Sequence, residues 1–244
     1  MQPIRSLNDV LDDAAFLSTE RQRRLGDLLG EGGGYADRWD VDLEVGRLRF
    51  TGRAGTLETP AHVVGTAAPG PGSWMWAWNN VNGLADAVVA RAATVRDFGT
   101  RFGIPELTSA EVPLRGSARA DAVEYAVVAG LVNGGLPHYT AEVGGGTVVA
   151  FLVDEPRAAL PAASLATAVT VIGETVTNGA VLDHRRALGA YAELRGLGLE
   201  PAGRDAVLLG PDGRVDVCFD EEDRIVGLEG SLSGGSSPGN GAQD

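Results

Sequence analysis

The spacing of hydrophobic residues changes along the chain, and each spacing indicates a type of secondary structure. Over residues 7–29, apolar side chains recur every three or four positions, which is typical of helices with one buried face. Thr19 and Gln22 have the spacing of a capping box, which marks the beginning of a helix. We therefore expect two short helices, ended by the glycine-rich run at 30–34.

Apolar and polar residues alternate in the next part of the chain, as they do in strands with one buried face. The alternating runs lie at 39–43, 48–51, 61–64 and 74–78. The last turn is the Pro-Gly-Pro-Gly segment 69–72, where proline fixes φ and glycine accepts strained positions. The pattern predicts a four-stranded antiparallel meander.

The hydrophobic spacing in the rest of the chain predicts helices and further antiparallel strands. The predicted helices span 84–102, 118–132, 161–178 and 183–196, and the predicted strands span 136–143, 147–153, 206–210, 213–219 and 224–230. Three glycines join the first two of these strands as a hairpin loop. The fold class is therefore α+β, an antiparallel β-meander packed against helices with an additional C-terminal antiparallel hairpin.

The domain organisation follows from these elements. We assign residues 1–30 to N-terminal helices, 31–197 to a main domain, 198–230 to a C-terminal β extension and 231–244 to a disordered tail. The tail is rich in Gly and Ser and has too few apolar groups to offset the entropy of ordering.

Composition and charge narrow the classes of function. The 244 residues are 44% hydrophobic and 22% charged, which suits a globular protein, and all twenty basic residues are arginines. The absence of lysine excludes a P-loop lysine and a Schiff-base nucleophile. The single cysteine, Cys218, excludes an intramolecular disulfide and a cluster of thiolate metal ligands.

Two acidic segments flank a nearly neutral middle. Residues 9–44 hold ten acids and four arginines, and residues 200–229 hold nine acids and three arginines. Such ends repel a polyanion, so we expect no binding to nucleic acid, whereas a basic protein partner is allowed. Ordinary solubility is the simpler explanation of the acidity.

The chain has no pattern of a membrane protein. Five acidic residues interrupt the first thirty positions, which therefore do not resemble a signal peptide. The longest uncharged apolar-rich stretch, 158–173, is shorter than the ~20 residues that cross a bilayer. We expect a cytoplasmic protein that makes no membrane contact.

A row of tryptophans is the most distinctive candidate for a binding site. Trp74, Trp76 and Trp78 project from one face of a predicted strand. They either form the packing layer beneath the following helix or line, at one end, a pocket for an aromatic or cationic ligand. In the second interpretation Asn79 and Asn80 supply hydrogen bonds at the rim of the pocket.

The candidate for catalysis is His138, which lies on a predicted strand. Glu142 on the same face is about 13 Å away, so an orienting acid has to come from elsewhere, for example Asp154 or Glu155. In the predicted hairpin register His138 lies opposite Leu152. Either His138 is a partly buried structural histidine or it is a general base paired with one of these acids.

We expect no metal ion and no cofactor. Asp216, Cys218 and Asp220 share a strand face at steps of about 6.6 Å, too far apart to converge on one metal ion. The three histidines lack metal-ligand spacing, and the sequence contains none of the common metalloprotease, P-loop or dinucleotide-binding motifs.

Several short motifs between residues 39 and 153 resemble those of a known family. They are Trp39-Asp40, Gly65-Thr66, the Trp74-Met75-Trp76-Ala77-Trp78-Asn79 core, Asp97-Phe98-Gly99, the Ala-rich helix at 122–129 and Val149-Ala150-Phe151. This pattern resembles an uncharacterised bacterial family with a W-x-W-x-W-x-N core, the domain of unknown function 6882. The resemblance supports a fold and implies no activity or catalytic residue.

Two classes of function remain open. The first is a non-catalytic cytosolic binding protein, whose target is a small apolar or aromatic molecule at the Trp78 to Asn80 end of the row or a basic protein. The alternative is an enzyme that uses His138 as general base with Asp154 or Glu155.

Overall fold

A computed structural model describes residues 2–30 and 32–232. Its helices are α1 (Leu7–Leu29), α2 (Asp86–Phe102), α3 (Pro105–Thr108), α4 (Ala118–Val132), α5 (Leu165–Thr177) and α6 (His184–Arg195). Its strands are β1 (Arg38–Asp42), β2 (Arg47–Gly52), β3 (Gly55–Pro60), β4 (His62–Ala68), β5 (Ser73–Trp76), β6 (Glu111–Pro113), β7 (His138–Gly144), β8 (Thr147–Leu152), β9 (Gly198–Ala202), β10 (Asp205–Gly210), β11 (Gly213–Phe219) and β12 (Ile225–Leu232).

The strands form three antiparallel sheets, so the α+β class is confirmed. The strand orders are β1-β2-β3, β6-β5-β4-β8-β7 and β12-β11-β10-β9. In the five-stranded sheet one face packs against α4 and part of α2, while the other face packs against β2 and β3. Of the predicted tail, 231–244, residues 231 and 232 belong to β12, and the rest lies outside the described residues.

The first helix is continuous, although two helices were predicted. The side chain of Ser6 caps its beginning by accepting a hydrogen bond from the backbone N–H of Asp9. The hydroxyl of Thr19 donates back to the carbonyl oxygen of Ala15 at 3.2 Å. Because Thr19 bonds within the preceding turn, it does not cap a new helix, and the helix continues.

All three hydrophobic cores include residues of α1. Val10 packs in the core beneath α4, Phe16 in the core of the C-terminal sheet, and Leu25 in the core between the other two sheets. The helix therefore joins the three sheets into one structure.

The predicted meander is divided between two sheets by an additional strand, β3. Leu57 and Thr59 of β3 are buried between exposed neighbours, but the segment is rich in Thr and ends with a proline. Its alternation is therefore weak as a hydrophobic signal. After Ala61 the chain crosses to β4 in the five-stranded sheet.

The C-terminal strands share their core with α5 and α6, and the predicted division of the chain at residue 197 stays a prediction. Leu208, Val215 and Val217 pack against both helices and against Phe16 of α1. Three of the four strands were predicted. The fourth, β9, is exposed along its whole length, so it carries no apolar pattern.

Buried ion pairs hold α1 against α6. Arg186 is 4% exposed, and its guanidinium donates hydrogen bonds to the carboxylate of Asp13 at 2.7 Å and to the carbonyl oxygen of Asp9 at 3.0 Å. The Asp13 side chain is fully buried. A buried charge is tolerated where it is paired and hydrogen-bonded in this way.

A second group lies two turns further along α1. The buried carboxylate of Glu20 accepts hydrogen bonds from the hydroxyl of Tyr191 at 2.9 Å and from Arg195 at 3.1 Å. Asp12 accepts hydrogen bonds from the backbone N–H groups of Leu182 and Asp183, just before α6. The buried acids of α1 therefore all point at the C-terminal part of the chain.

We expect Arg186→Met to lower the free energy of unfolding by about 3 to 5 kcal/mol, because it leaves the carboxylate of Asp13 buried without a counter-charge. Urea denaturation followed by circular dichroism measures the change. The matched control is Arg47→Met, which breaks an exposed 3.6 Å ion pair with Glu58 and is expected to cost less than about 1 kcal/mol. Equal costs for the two variants would contradict the role assigned to Arg186.

Candidate functional site

Trp74 and Trp76 are in the hydrophobic core. Both are fully buried on β5, and their rings lie 5.1 and 5.2 Å from the ring of Tyr125 on α4. The indole N–H of Trp76 donates to the carbonyl oxygen of Glu106 at 2.9 Å. Of the two interpretations of the tryptophan row, the structure places these two residues in the packing layer.

Trp78 is separated from the other two tryptophans. The strand β5 ends at Trp76, and residues 77–79 form a 3-10 turn. Trp78 is half-buried, and the guanidinium of Arg96 lies over its ring at 5.5 Å from the centroid. A cation–π contact with the protein's own arginine already covers this ring.

The two asparagines after Trp78 have different environments. Asn79 is exposed, whereas the amide of Asn80 donates to the carbonyl oxygen of Leu84 and accepts from its backbone N–H, at 2.9 and 2.8 Å. Asn80 therefore closes the loop before α2. The adjacent cavity is about 40 Å³, well below the ~300 Å³ of small-molecule sites.

Gly65 is required by the packing of the tryptophans. A Cβ atom at this position would lie 2.4 Å from Cζ2 of Trp74 and 2.5 Å from the carbonyl oxygen of Met75. Both contacts are far shorter than van der Waals distance, and the sheet fixes the backbone oxygen. The indole of Trp74 therefore occupies the space that a side chain on β4 would need.

His138 lies at the edge of the five-stranded sheet and is 6% exposed. It pairs with Leu152, which confirms the predicted hairpin register. Its backbone N–H and carbonyl oxygen are both bonded to the side-chain amide of Gln22, at 2.9 and 3.0 Å. No hydrogen bond from the described residues reaches the imidazole.

The structure does not bring His138 together with the two predicted acids. Asp154 accepts a hydrogen bond from Arg91 at 3.0 Å, and Glu155 accepts one from Arg157 at 2.8 Å. Burial lowers the pKa of His138 to about 4, and no carboxylate among the described residues raises it. The imidazole is therefore neutral at pH 7.

A cleft of about 670 Å³ lies between α1, α4 and α5. The residues that line it include Leu11, Ser18 and Gln22 of α1, Val123 of α4, Glu174 of α5, and His138. The α1 residues recur every three or four positions on one face of the helix. The sequence contains this spacing, but the prediction of a new helix at Thr19 divided it between two helices.

The charged side chains at the cleft are compensated by the protein itself. Arg23 donates to Glu174 at 2.7 Å, and Arg115 pairs with Glu124. Burial raises the pKa of Asp12, whose carboxylate accepts the two backbone N–H bonds described above. The cleft therefore combines apolar walls with neutralised charges.

The acidic residues of the two ends have different surroundings. Those of α1 that are buried are bonded to the C-terminal part of the chain. Near Cys218, partial desolvation and the nearby carboxylates of Asp205, Glu229 and Asp216 raise the pKa of the thiol. The expectation of a basic protein partner stays a prediction.

Within residues 2–30 and 32–232, no group of three or more His, Cys, Asp or Glu side chains could hold a metal ion. No helix in the same part of the chain is long and apolar enough to cross a membrane.

Comparison with known proteins identifies a family. A model with the description "Family of unknown function (DUF6882)" matches residues 8–156, more than half of the chain. No curated protein and no solved structure matches the chain. The matched segment includes α1 and α4, whereas α5, the third wall of the cleft, lies beyond it.

We expect Gly65→Ala to lower the free energy of unfolding by about 3 kcal/mol, because the added methyl group must displace Trp74 or the β5 backbone. Urea denaturation followed by circular dichroism provides the measurement. The matched control is Gly70→Ala in the exposed turn, where an added Cβ meets nothing within 4 Å. Its effect is expected to stay within about 0.5 kcal/mol, and a similar loss in both variants would refute the packing argument.

We expect His138 to make the protein less stable as the pH falls from 6.5 to 4. The pKa is about 4 in the folded protein and about 6.5 in the unfolded chain, so the unfolded chain takes up the proton first. At about 1.4 kcal/mol per pKa unit, this difference in pKa contributes roughly 3 kcal/mol to the free energy of unfolding above pH 6.5. The contribution is lost as the pH falls from 6.5 to 4. His138→Gln removes this loss, which urea titrations at several pH values measure against wild type.

The control for the pH experiment is Thr140→Val, which changes a non-titrating residue on the same strand. It is expected to leave the pH dependence of the unfolding free energy as in wild type. A His138→Gln variant with the wild-type pH dependence would show that His138 is not protonated on unfolding in this range.

Proposed function

We propose that this chain, which belongs to the family of unknown function DUF6882, is a binding protein that holds a small, largely apolar molecule in the cleft between α1, α4 and α5. The observation that carries the proposal is the volume of the cleft, about 670 Å³, which lies in the range of small-molecule sites. The small-molecule site is therefore proposed on the exposed face of α1 and not at the tryptophan row.

The walls of the cleft suit an apolar ligand. Leu11 of α1 and the two valines of α4, Val123 and Val127, are partly exposed there, although each could be buried by a bound molecule. Each square ångström of apolar surface removed from water stabilises a complex by about 25 cal/mol. A ligand that covers these side chains therefore gains affinity without needing a charge.

The contacts around His138 support binding rather than catalysis. A general base is most effective when its pKa lies near the working pH and an acid orients it. His138 has a pKa of about 4, and both predicted acids are held by arginines. The enzymatic alternative therefore has less support than the binding function.

We also propose that the protein acts in the cytoplasm, where Cys218 would remain a free thiol. Fractionation of cells that produce the chain checks this assignment.

The proposed function predicts that the protein binds 1,6-diphenylhexatriene, an uncharged hydrocarbon dye whose fluorescence increases in apolar surroundings. Val123→Trp places an indole in the cleft and is expected to weaken dye binding at least tenfold, measured by fluorescence titration. The indole takes up volume that the dye needs, while the partly exposed position of Val123 spares the core.

The matched control is Val226→Trp, because Val226 is exposed on β12 and away from the cleft. This variant is expected to bind the dye as wild type does. Absence of dye binding to the wild-type protein, or equal binding by the Val123→Trp variant, would overturn the proposed function. Circular dichroism of both variants verifies that they are folded.

A further inference from the structure

The imidazole of one residue in the cleft, His138, makes no hydrogen bond to the described protein. His138 lines the cleft at 6% exposure, and no hydrogen bond from the described residues reaches its imidazole. A neutral imidazole carries one donor and one acceptor. The ring nitrogens of His138 are not among the buried atoms without a partner, so they are open to solvent through the cleft. A ligand that occupies the cleft and displaces water from these nitrogens has to supply an equivalent hydrogen bond, or it loses affinity.

The position of His138 makes the two ends of the cleft differ in polarity. Its backbone is bonded to Gln22, so the imidazole lies near the Gln22 end of the α1 face. Leu11 lies three turns away on the same face, about 16 Å along the helix axis. The cleft therefore has a polar group at one end and an apolar side chain towards the other.

The charges around the cleft offer no free counter-charge to an ionic ligand. The two arginines at its rim, Arg23 and Arg115, are paired with glutamates. The carboxylate of Asp12 is held by two backbone N–H groups. An ionic head group would lose its hydration without gaining an ion pair, which costs several kcal/mol for a buried charge.

We propose that the ligand is an uncharged amphiphile whose hydroxyl or carbonyl group hydrogen-bonds with the imidazole of His138, while its apolar part lies along α1 towards Leu11. This inference rests on the proposed function and specifies the chemical class of the ligand. The low pKa of His138 supports it, because an imidazole that is neutral at pH 7 can donate to a carbonyl or accept from a hydroxyl.

The test is competition against bound 1,6-diphenylhexatriene at pH 7.5 with three molecules of equal chain length: 1-dodecanol, dodecanoate and dodecylammonium, each below its aggregation limit. We expect dodecanol to displace the dye at a concentration at least tenfold lower than either ion. Equal or better competition by an ion would overturn this inference. Because the dye has no polar group, its own binding tests the proposed function separately.

Variants of His138 test the hydrogen bond. His138→Phe keeps a planar ring without a donor or acceptor. It is expected to lower the affinity for dodecanol about fivefold or more, calculated from the competition with the dye affinity measured for the same variant. His138→Gln, which retains a donor and an acceptor, is expected to restore the preference for dodecanol, and Thr140→Val is expected to change nothing.

An unchanged preference for dodecanol in the His138→Phe variant would refute the contact with His138. Circular dichroism of each variant verifies that it is folded. If His138→Phe does not fold, His138→Leu, which also lacks a donor and an acceptor, takes its place in the comparison.

Discussion

The burial of carboxylates on α1 against arginines of α6 is the constraint on which the rest of the structure depends. Asp13 lies in the interior because Arg186 reaches it, and Glu20 lies there because Arg195 and Tyr191 do. Removing two charges from water is favourable only where each finds its counterpart and the remaining hydrogen bonds are made. This pairing allows a helix with a strongly acidic sequence to occupy the centre of the molecule and to contribute to all three cores.

The cleft is a consequence of the same arrangement. Packing of α6 and the C-terminal sheet covers one side of α1, and α4 with the five-stranded sheet covers another. The stripe from Leu11 to Gln22 is left between α4 and α5. The cleft therefore lies on the face of α1 that no other helix or sheet covers. The side chain of Gln22 hydrogen-bonds with the backbone of His138 and so connects α1 to β7.

Local signals in the sequence predicted the elements that depend on neighbouring residues. The helix stripe before Gly103, the core helix after Ser117 and the register of the hairpin at His138 were all readable, because spacing and turn glycines determine them. The continuity of α1 was not predicted, because Thr19 has the spacing of a cap but bonds to Ala15 within the helix. The strands β3 and β9 were not predicted, because they carry little or no apolar alternation. The cleft was not, because it depends on helices that are distant in the sequence. The burial of Asp13 and Glu20 was not predicted, since the arginines that pair with them are more than 170 positions away.

The end of the family match at residue 156 separates α1 from its ion-pair partners, which come from a later part of the chain. The residues at the positions of Asp13 and Glu20 are therefore expected to vary together with the presence of α6. A relative that lacks an equivalent of α6 has to carry uncharged residues at the positions of Asp13 and Glu20, or recruit a second polypeptide that supplies the guanidinium groups. The residues at those two positions therefore indicate, from a single sequence, whether the helix is paired with guanidinium groups.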